Sequence, residues 1–264
     1  MKKNVKIIVA THKKYQMPLD KVYVPLQVGT ELNCKIKGYT YDNKADNISD
    51  KNPYFCELTG LYWAWKNIKE EYIGLVHYRR YFSKASKIPK IEDEKFNIVL
   101  SFEEVNNLLQ ETDIILPKKR NYYIENLYNH YKHTMYIEPL DVTAKIIEEK
   151  YPEYMIEFNK LKKRRSSHMF NMFVMKKEYL DSYCDWLFDI LFELEKQIDI
   201  KKYDAFHARF FGRISELLLD VWINTNNLSY KEVRVIDMNN INWFKKGFTF
   251  LKAKFKGEKY GSSF

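Results

Sequence analysis

Short apolar runs, each cut off by polar or charged residues, constrain this chain more than any other feature. Residues 6–10 (Lys-Ile-Ile-Val-Ala) run straight into Thr11-His12-Lys13, and residues 72–78 run into Arg79 and Arg80. Residues 113–117 (Asp-Ile-Ile-Leu-Pro) stop at a proline, and residues 168–175 form a fourth run. Apolar runs of four to eight residues rich in Val and Ile are too short for buried helices and fit strands covered on both faces. Between them the signals turn helical. Asn52-Pro53 places a capping residue before a first-turn proline, predicting a helix through Lys66. Ser101 and Glu104 have the spacing of a capping box, opening a helix to about Gln110. Residues 178–196 put Tyr183, Leu187, Ile190 and Leu194 on one face, a core face. A further helix is expected from Asp204 to about Ile223. Strands alternating with helices predict an α/β fold whose sheet is mixed, mostly parallel, and flanked by helices.

At 264 residues and 45% apolar content the chain suits one such domain, taken as residues 1–240. The net charge of +9 is unevenly placed: residues 241–264 hold six lysines against one glutamate. The folded part is therefore only mildly basic, and no nucleic-acid partner is expected from it. As a helix the tail would gather Phe244, Phe248, Leu251 and Phe255 on one side with lysines elsewhere. That basic amphipathic pattern suits an anionic membrane surface; a nucleic-acid-binding arm and a helix packed on the domain are its rivals. No run approaches the ~20 apolar residues of a spanning helix. Cys34, Cys56 and Cys184 are scattered and suggest neither a disulfide framework nor a zinc site. His130 and His133 lack a neighbouring ligand in sequence and read as packing or surface histidines. Dinucleotide, Walker-type and serine-hydrolase motifs are missing.

In open α/β sheets ligands bind beyond the carboxyl ends of the strands. That rule selects Thr11, His12 and Lys13 after the first run, and His77, Tyr78, Arg79 and Arg80 after the second. Paired guanidinium forks match phosphate oxygens; the plainer reading pairs one of them with a structural carboxylate such as Glu57. Arg209, Arg213, Glu216 and Asp220 form a polar stripe along the last helix, facing either solvent or a cleft.

The strings VATHKKY, CELTGLYWAWKN, YIGLVHYRRYF, TDIILPKK, FNMFVMKKEYLDSYCDWLFDIL and RFFGRISELLLDVW together resemble the domain-of-unknown-function 4422 family of capsular and exopolysaccharide glycosyltransferases. The resemblance runs from about Lys3 to Val235. It implies a GT-A-like nucleotide-binding fold that transfers a hexose from a UDP-sugar to a lipid-linked saccharide, with galactofuranosyl transfer among the family's attributed activities. It further implies a bacterial enzyme, cytoplasmic and peripheral on the inner face of the membrane. Carried over by position, Thr11, His12, Lys13, Asp46, Asn47, Glu57, His77, Tyr78, Asn171, Arg209 and Arg213 would surround the nucleotide-sugar. Many GT-A enzymes hold manganese or magnesium through an Asp-x-Asp motif where this chain has His77 to Arg80. With no such motif present, no metal ligand is assigned, and Arg79 and Arg80 are expected to meet the charge of the departing diphosphate. Asp204 and Glu216 are the carboxylates expected to accept the acceptor's proton. A nucleic-acid-binding protein and a non-catalytic sugar-nucleotide-binding module are the alternatives.

Overall fold

The computed structural model describes residues 2–85, 89 and 91–239, so the expectations for the 241–264 tail lie outside the described residues. The chain begins with strands β1 (Val5–Thr11), β2 (Tyr23–Gln27) and β3 (Thr40–Tyr41), then helices α1 (Asn52–Phe55) and α2 (Leu58–Asn67). Strands β4 (Tyr72–His77) and β5 (Arg80–Ser83) precede α3 (Glu92–Lys95), α4 (Phe102–Leu108), β6 (Ile114–Pro117) and β7 (Arg120–Asn121). Next come α5 (Leu127–Thr134), α6 (Glu138–Lys150), α7 (Met155–Lys163), β8 (Ser166–Ser167) and β9 (Phe173–Lys176). The long α8 (Lys177–Gln197), α9 (Phe210–Thr225) and β10 (Lys231–Asp237) complete it.

Eight strands form one sheet in the order β3-β2-β1-β4-β5-β10-β6-β9, with β9 paired back onto β4, and β7-β8 form a separate ribbon. Side chains alternate between two covered faces, as strand geometry requires. Ile8, Ala10, Ile73, Leu75, Phe173 and Met175 meet the core under α2, α8 and α9. Ile7, Val9, Tyr72, Val76 and Val174 meet a second core that includes Val105 and Leu109 of the α4 region. Gly74 is required here: a Cβ on it would fall 2.9 Å from Val174 and 3.0 Å from Ile7.

The sheet departs from the mostly parallel expectation. β1 runs parallel to β2 and β4, β2 to β3, and β10 to β6. The β4–β5, β5–β10, β4–β9 and β6–β9 pairings are antiparallel. One cause is local: β4 turns back into β5 through Tyr78 and Arg79, a two-residue connection that can only join antiparallel strands.

Three elements also differ in extent. The helix expected over 52–66 breaks at Cys56, whose φ of 53° ends α1 before α2 begins. The run at 168–175 is strand only from Phe173, because Phe170 and Asn171 have positive φ. The last helix starts at Phe210 after a 3-10 turn rather than at Asp204. The Ser101–Glu104 capping box is present, and Tyr183, Leu187, Ile190 and Leu194 are buried along α8. Each such aliphatic side chain contributes about 1.5–3 kcal/mol on burial.

Candidate active site at the strand ends

The parallel register of β1 and β4 sets Ala10 beside His77, so Thr11–Lys13 and His77–Arg80 leave the sheet at one edge. Thr11 is buried and its hydroxyl donates to the Lys13 carbonyl at 2.7 Å. The Tyr78 amide donates to the Ala10 carbonyl at 3.2 Å. The Tyr78 ring stacks on Tyr15 with centroids 4.0 Å apart and meets the edge of His12 at 5.4 Å. Desolvation, then Lys13, Arg209 and Arg79, lower the His12 pKa. Arg79 lies over the Tyr78 ring at 5.9 Å. The edge therefore carries a flat aromatic platform bordered by cations.

Strain concentrates beside it. Cys56, Phe170 and Asn171 have φ of 53°, 81° and 50°, a region that costs non-glycine residues of order 1 kcal/mol or more each. All three meet the same cluster. The Asn171 amide donates to Glu57 Oε1 at 2.7 Å and to the Gly212 carbonyl at 3.1 Å. His77 Nε2 donates to the Phe170 carbonyl. Arg80 lies over the Phe170 ring at 4.4 Å, and Arg209 Nε donates to Cys56 Sγ at 2.9 Å. Antiparallel pairing of β9 with β4 matches Leu75 with Phe173, which brings the 170–171 turn alongside His77. His168 anchors that turn from behind: fully buried, it pairs with Asp220 on α9 and with Glu232 at 3.0 Å.

The electrostatics are uneven. Burial, with Arg80 and Arg79 nearby, pushes the His77 pKa down against the pull of Glu57. Burial alone would raise the Glu57 carboxyl, but the His77 ring, the Asn171 amide and the Arg213 guanidinium together hold it below the usual carboxylate range. Glu216 goes the other way: burial and the charge of Glu57 push it up despite Arg213, whose Nη1 lies 3.5 Å away. Arg80 is fixed through Nε to Asp237 at 3.2 Å. Arg80 and Arg120 also act on Glu216, and Arg209 on Glu57 through space. Five guanidinium groups thus surround three carboxylates, leaving positive charge in excess. Two buried acceptor atoms, Asn171 Oδ1 and Glu216 Oε2, have no hydrogen-bond partner.

The sequence-selected residues therefore divide. Thr11, His12, Lys13, Glu57, His77, Tyr78, Arg79, Arg80, Asn171, Arg209, Arg213 and Glu216 come together at the sheet edge. Asp46 and Asn47 do not join them: Asp46 accepts from Tyr62 Oη and, through its carbonyl, from Asn67 Nδ2 along the outer side of α2. Asn47 caps the turn before α1 by accepting from the Ser49 amide. Asp204 is exposed, accepts from the Phe206 and His207 amides at 2.9 and 3.1 Å, and pairs with His207, which lowers its pKa. Sequence reasoning missed Arg120, whose signal was its place just past the third apolar run, and Tyr122, over which it lies at 5.1 Å. His130 and His133 do have an acidic neighbour, the buried Glu125, five and eight residues before them in the chain. A separate open groove lined by Ser83, Glu104, Lys118 and Arg234 gathers no comparable cluster.

Among the described residues no three His, Cys, Asp or Glu side chains are grouped to hold a metal ion, and guanidinium groups fill the surroundings of Glu57 and Glu216. No helix among the described residues is long and apolar enough to cross a membrane.

Residues 6–227 match the model of a family described as a domain of unknown function (DUF4422). The apo structure of WbbM, a bifunctional glycosyltransferase, aligns with a TM-score of 0.82 and 33% sequence identity, covering 90% of this chain and 46% of that one. The chain thus spans about half the length of WbbM. No curated protein matches it.

Proposed function

The chain belongs to the DUF4422 family, and from that premise we propose that it is a sugar-nucleotide-dependent glycosyltransferase with a GT-A-like domain. It moves a hexose, galactofuranose being one candidate, from a UDP-sugar to a lipid-linked saccharide in capsular or exopolysaccharide synthesis. The observation that carries this reading is the guanidinium cluster at the carboxyl ends of β1 and β4, where an α/β sheet binds its ligand. The likeness to a glycosyltransferase over 90% of the chain supports it.

Each part of the edge has a role in such a transfer. The Tyr15–Tyr78 stack and His12 offer a face for the uracil ring. Arg79 and Arg80, with Arg120, Arg209 and Arg213 around them, neutralise the diphosphate as its bond to the sugar breaks. Guanidinium forks suit this because they bind phosphate oxygens in pairs and stay charged. In a transfer assay with UDP-hexoses, the protein should release UDP only when an acceptor glycoside is supplied. A protein that binds UDP yet transfers to no acceptor would instead be a sugar-nucleotide-binding module.

The lysine-rich 241–264 segment is assigned to the anionic inner face of the membrane, where lipid-linked acceptors reside. Deleting it should abolish co-sedimentation with phosphatidylglycerol vesicles and leave UDP binding intact. Undiminished vesicle binding would contradict the assignment.

A further inference from the structure

We propose that Glu57 is the general base of the transfer, that Asn171 positions it, and that the transfer inverts the anomeric carbon. This inference rests on the glycosyltransferase reading and names the residue that deprotonates the acceptor.

Three carboxylates compete for the role. A base must be ionised at working pH and keep a lone pair directed at the cleft. Asp204 fails on geometry, since its oxygens are committed to two backbone amides and His207 on an exposed turn. Glu216 fails on charge: it is 6% exposed, and both burial and the neighbouring Glu57 favour its protonated form. Glu57 is the carboxyl at this edge that is held below its usual range. It is the residue that opens α2, where the helix dipole favours a negative charge. Its Oε1 is tied to Asn171 at 2.7 Å, which leaves the other oxygen to accept a proton. Two neighbouring carboxylates pushed in opposite directions are the usual sign of divided acid and base roles.

The strained turn explains how Glu57 is aimed. Asn171 is 2% exposed, and its φ of 50° turns its amide onto both Glu57 and the Gly212 carbonyl. The same side chain leaves Oδ1 buried without a hydrogen-bond partner, while Glu216 Oε2 has only its loose 3.5 Å contact with Arg213. An orphaned acceptor beside the base suits a ligand bearing hydroxyl donors, which is what the ring of a hexose supplies.

The step balances without a redox partner. The acceptor oxygen forms a bond to the anomeric carbon while its proton passes to the Glu57 carboxylate. The bond from that carbon to the β-phosphate oxygen breaks, and its electron pair leaves on UDP, where the arginines meet the charge.

The test uses the full chain with UDP-galactofuranose and UDP-galactose as donors and an octyl galactoside as acceptor. Glu57→Gln should lower kcat by about 10²–10⁴-fold while UDP affinity by calorimetry stays within about threefold and the product of the wild type is inverted. Asn171→Asp sets a second carboxylate against Glu57 and should move the acidic limb of the pH–rate profile upward. A purely structural Asn171 would lower the rate without moving that limb. Turnover of Glu57→Gln within about threefold of wild type, or a retained anomer, overturns the assignment while the transferase reading stands. A wild type that neither binds UDP nor releases it from these donors overturns both.

Discussion

Asp42 and Glu216 are both carboxylates with almost no solvent exposure, at 0% and 6%, yet the fold treats them in opposite ways. Asp42 accepts from the Gly29 and Thr30 amides and from the hydroxyls of Thr30, Ser49 and Thr59, at 2.7 to 3.0 Å for all but the shorter Ser49 bond of 2.6 Å. Every lone pair is used, and the cluster ties the loop after β2 to α2. Glu216 has a like charge nearby and, at its buried Oε2, one loose ion pair and no hydrogen bond. The first arrangement spends its polar groups on holding the chain together. The second leaves them unmet in a region of positive φ, where binding of a ligand would satisfy them.

The contrast can be broken by substitution, and the largest effect should fall on the satisfied cluster. Asp42→Asn removes the charge that five donors share and should cost about 3 kcal/mol of stability in urea denaturation. A loss below about 1 kcal/mol would mean the cluster is not the structural tie it is taken to be. Glu216→Gln should do the reverse, raising stability at pH 7.5. The sign follows from the raised carboxyl. Ionising Glu216 is harder folded than unfolded, so its penalty is full above the folded-state pKa and vanishes as pH falls through the ordinary glutamate range. The stability gain of Glu216→Gln should therefore fade on acidification. A gain independent of pH would show that Glu216 carries no such penalty.

Much of this was legible in the sequence. The apolar runs at 6–10, 72–78 and 113–117 became β1, β4 and β6, and the rule about strand ends located the edge where His77 to Arg80 emerge. What escaped were features with no local signature. Asn171 reaches Glu57 across 114 residues, and nothing in Phe170-Asn171 announces positive φ as a glycine would. Cys56 breaks a helix that its neighbours' propensities favour, because Arg209 and the Asn171–Glu57 contact fix the chain there. Asp42 sits in a run of turn residues, where a buried carboxylate leaves no periodic trace. Part of the sheet's mixed character came from the two-residue Tyr78–Arg79 turn, which apolar spacing alone does not encode.

The most direct test of the central claim, that the guanidinium-lined edge is a donor site, is calorimetric titration with UDP, with and without manganese. The account predicts binding that manganese does not change and that weakens about 10–100-fold in Arg80→Ala, the loss expected for a charged hydrogen bond. Arg79→Ala should weaken it in the same direction. UDP binding that appears only with manganese, or binding untouched by both substitutions, would contradict the arginine-based site.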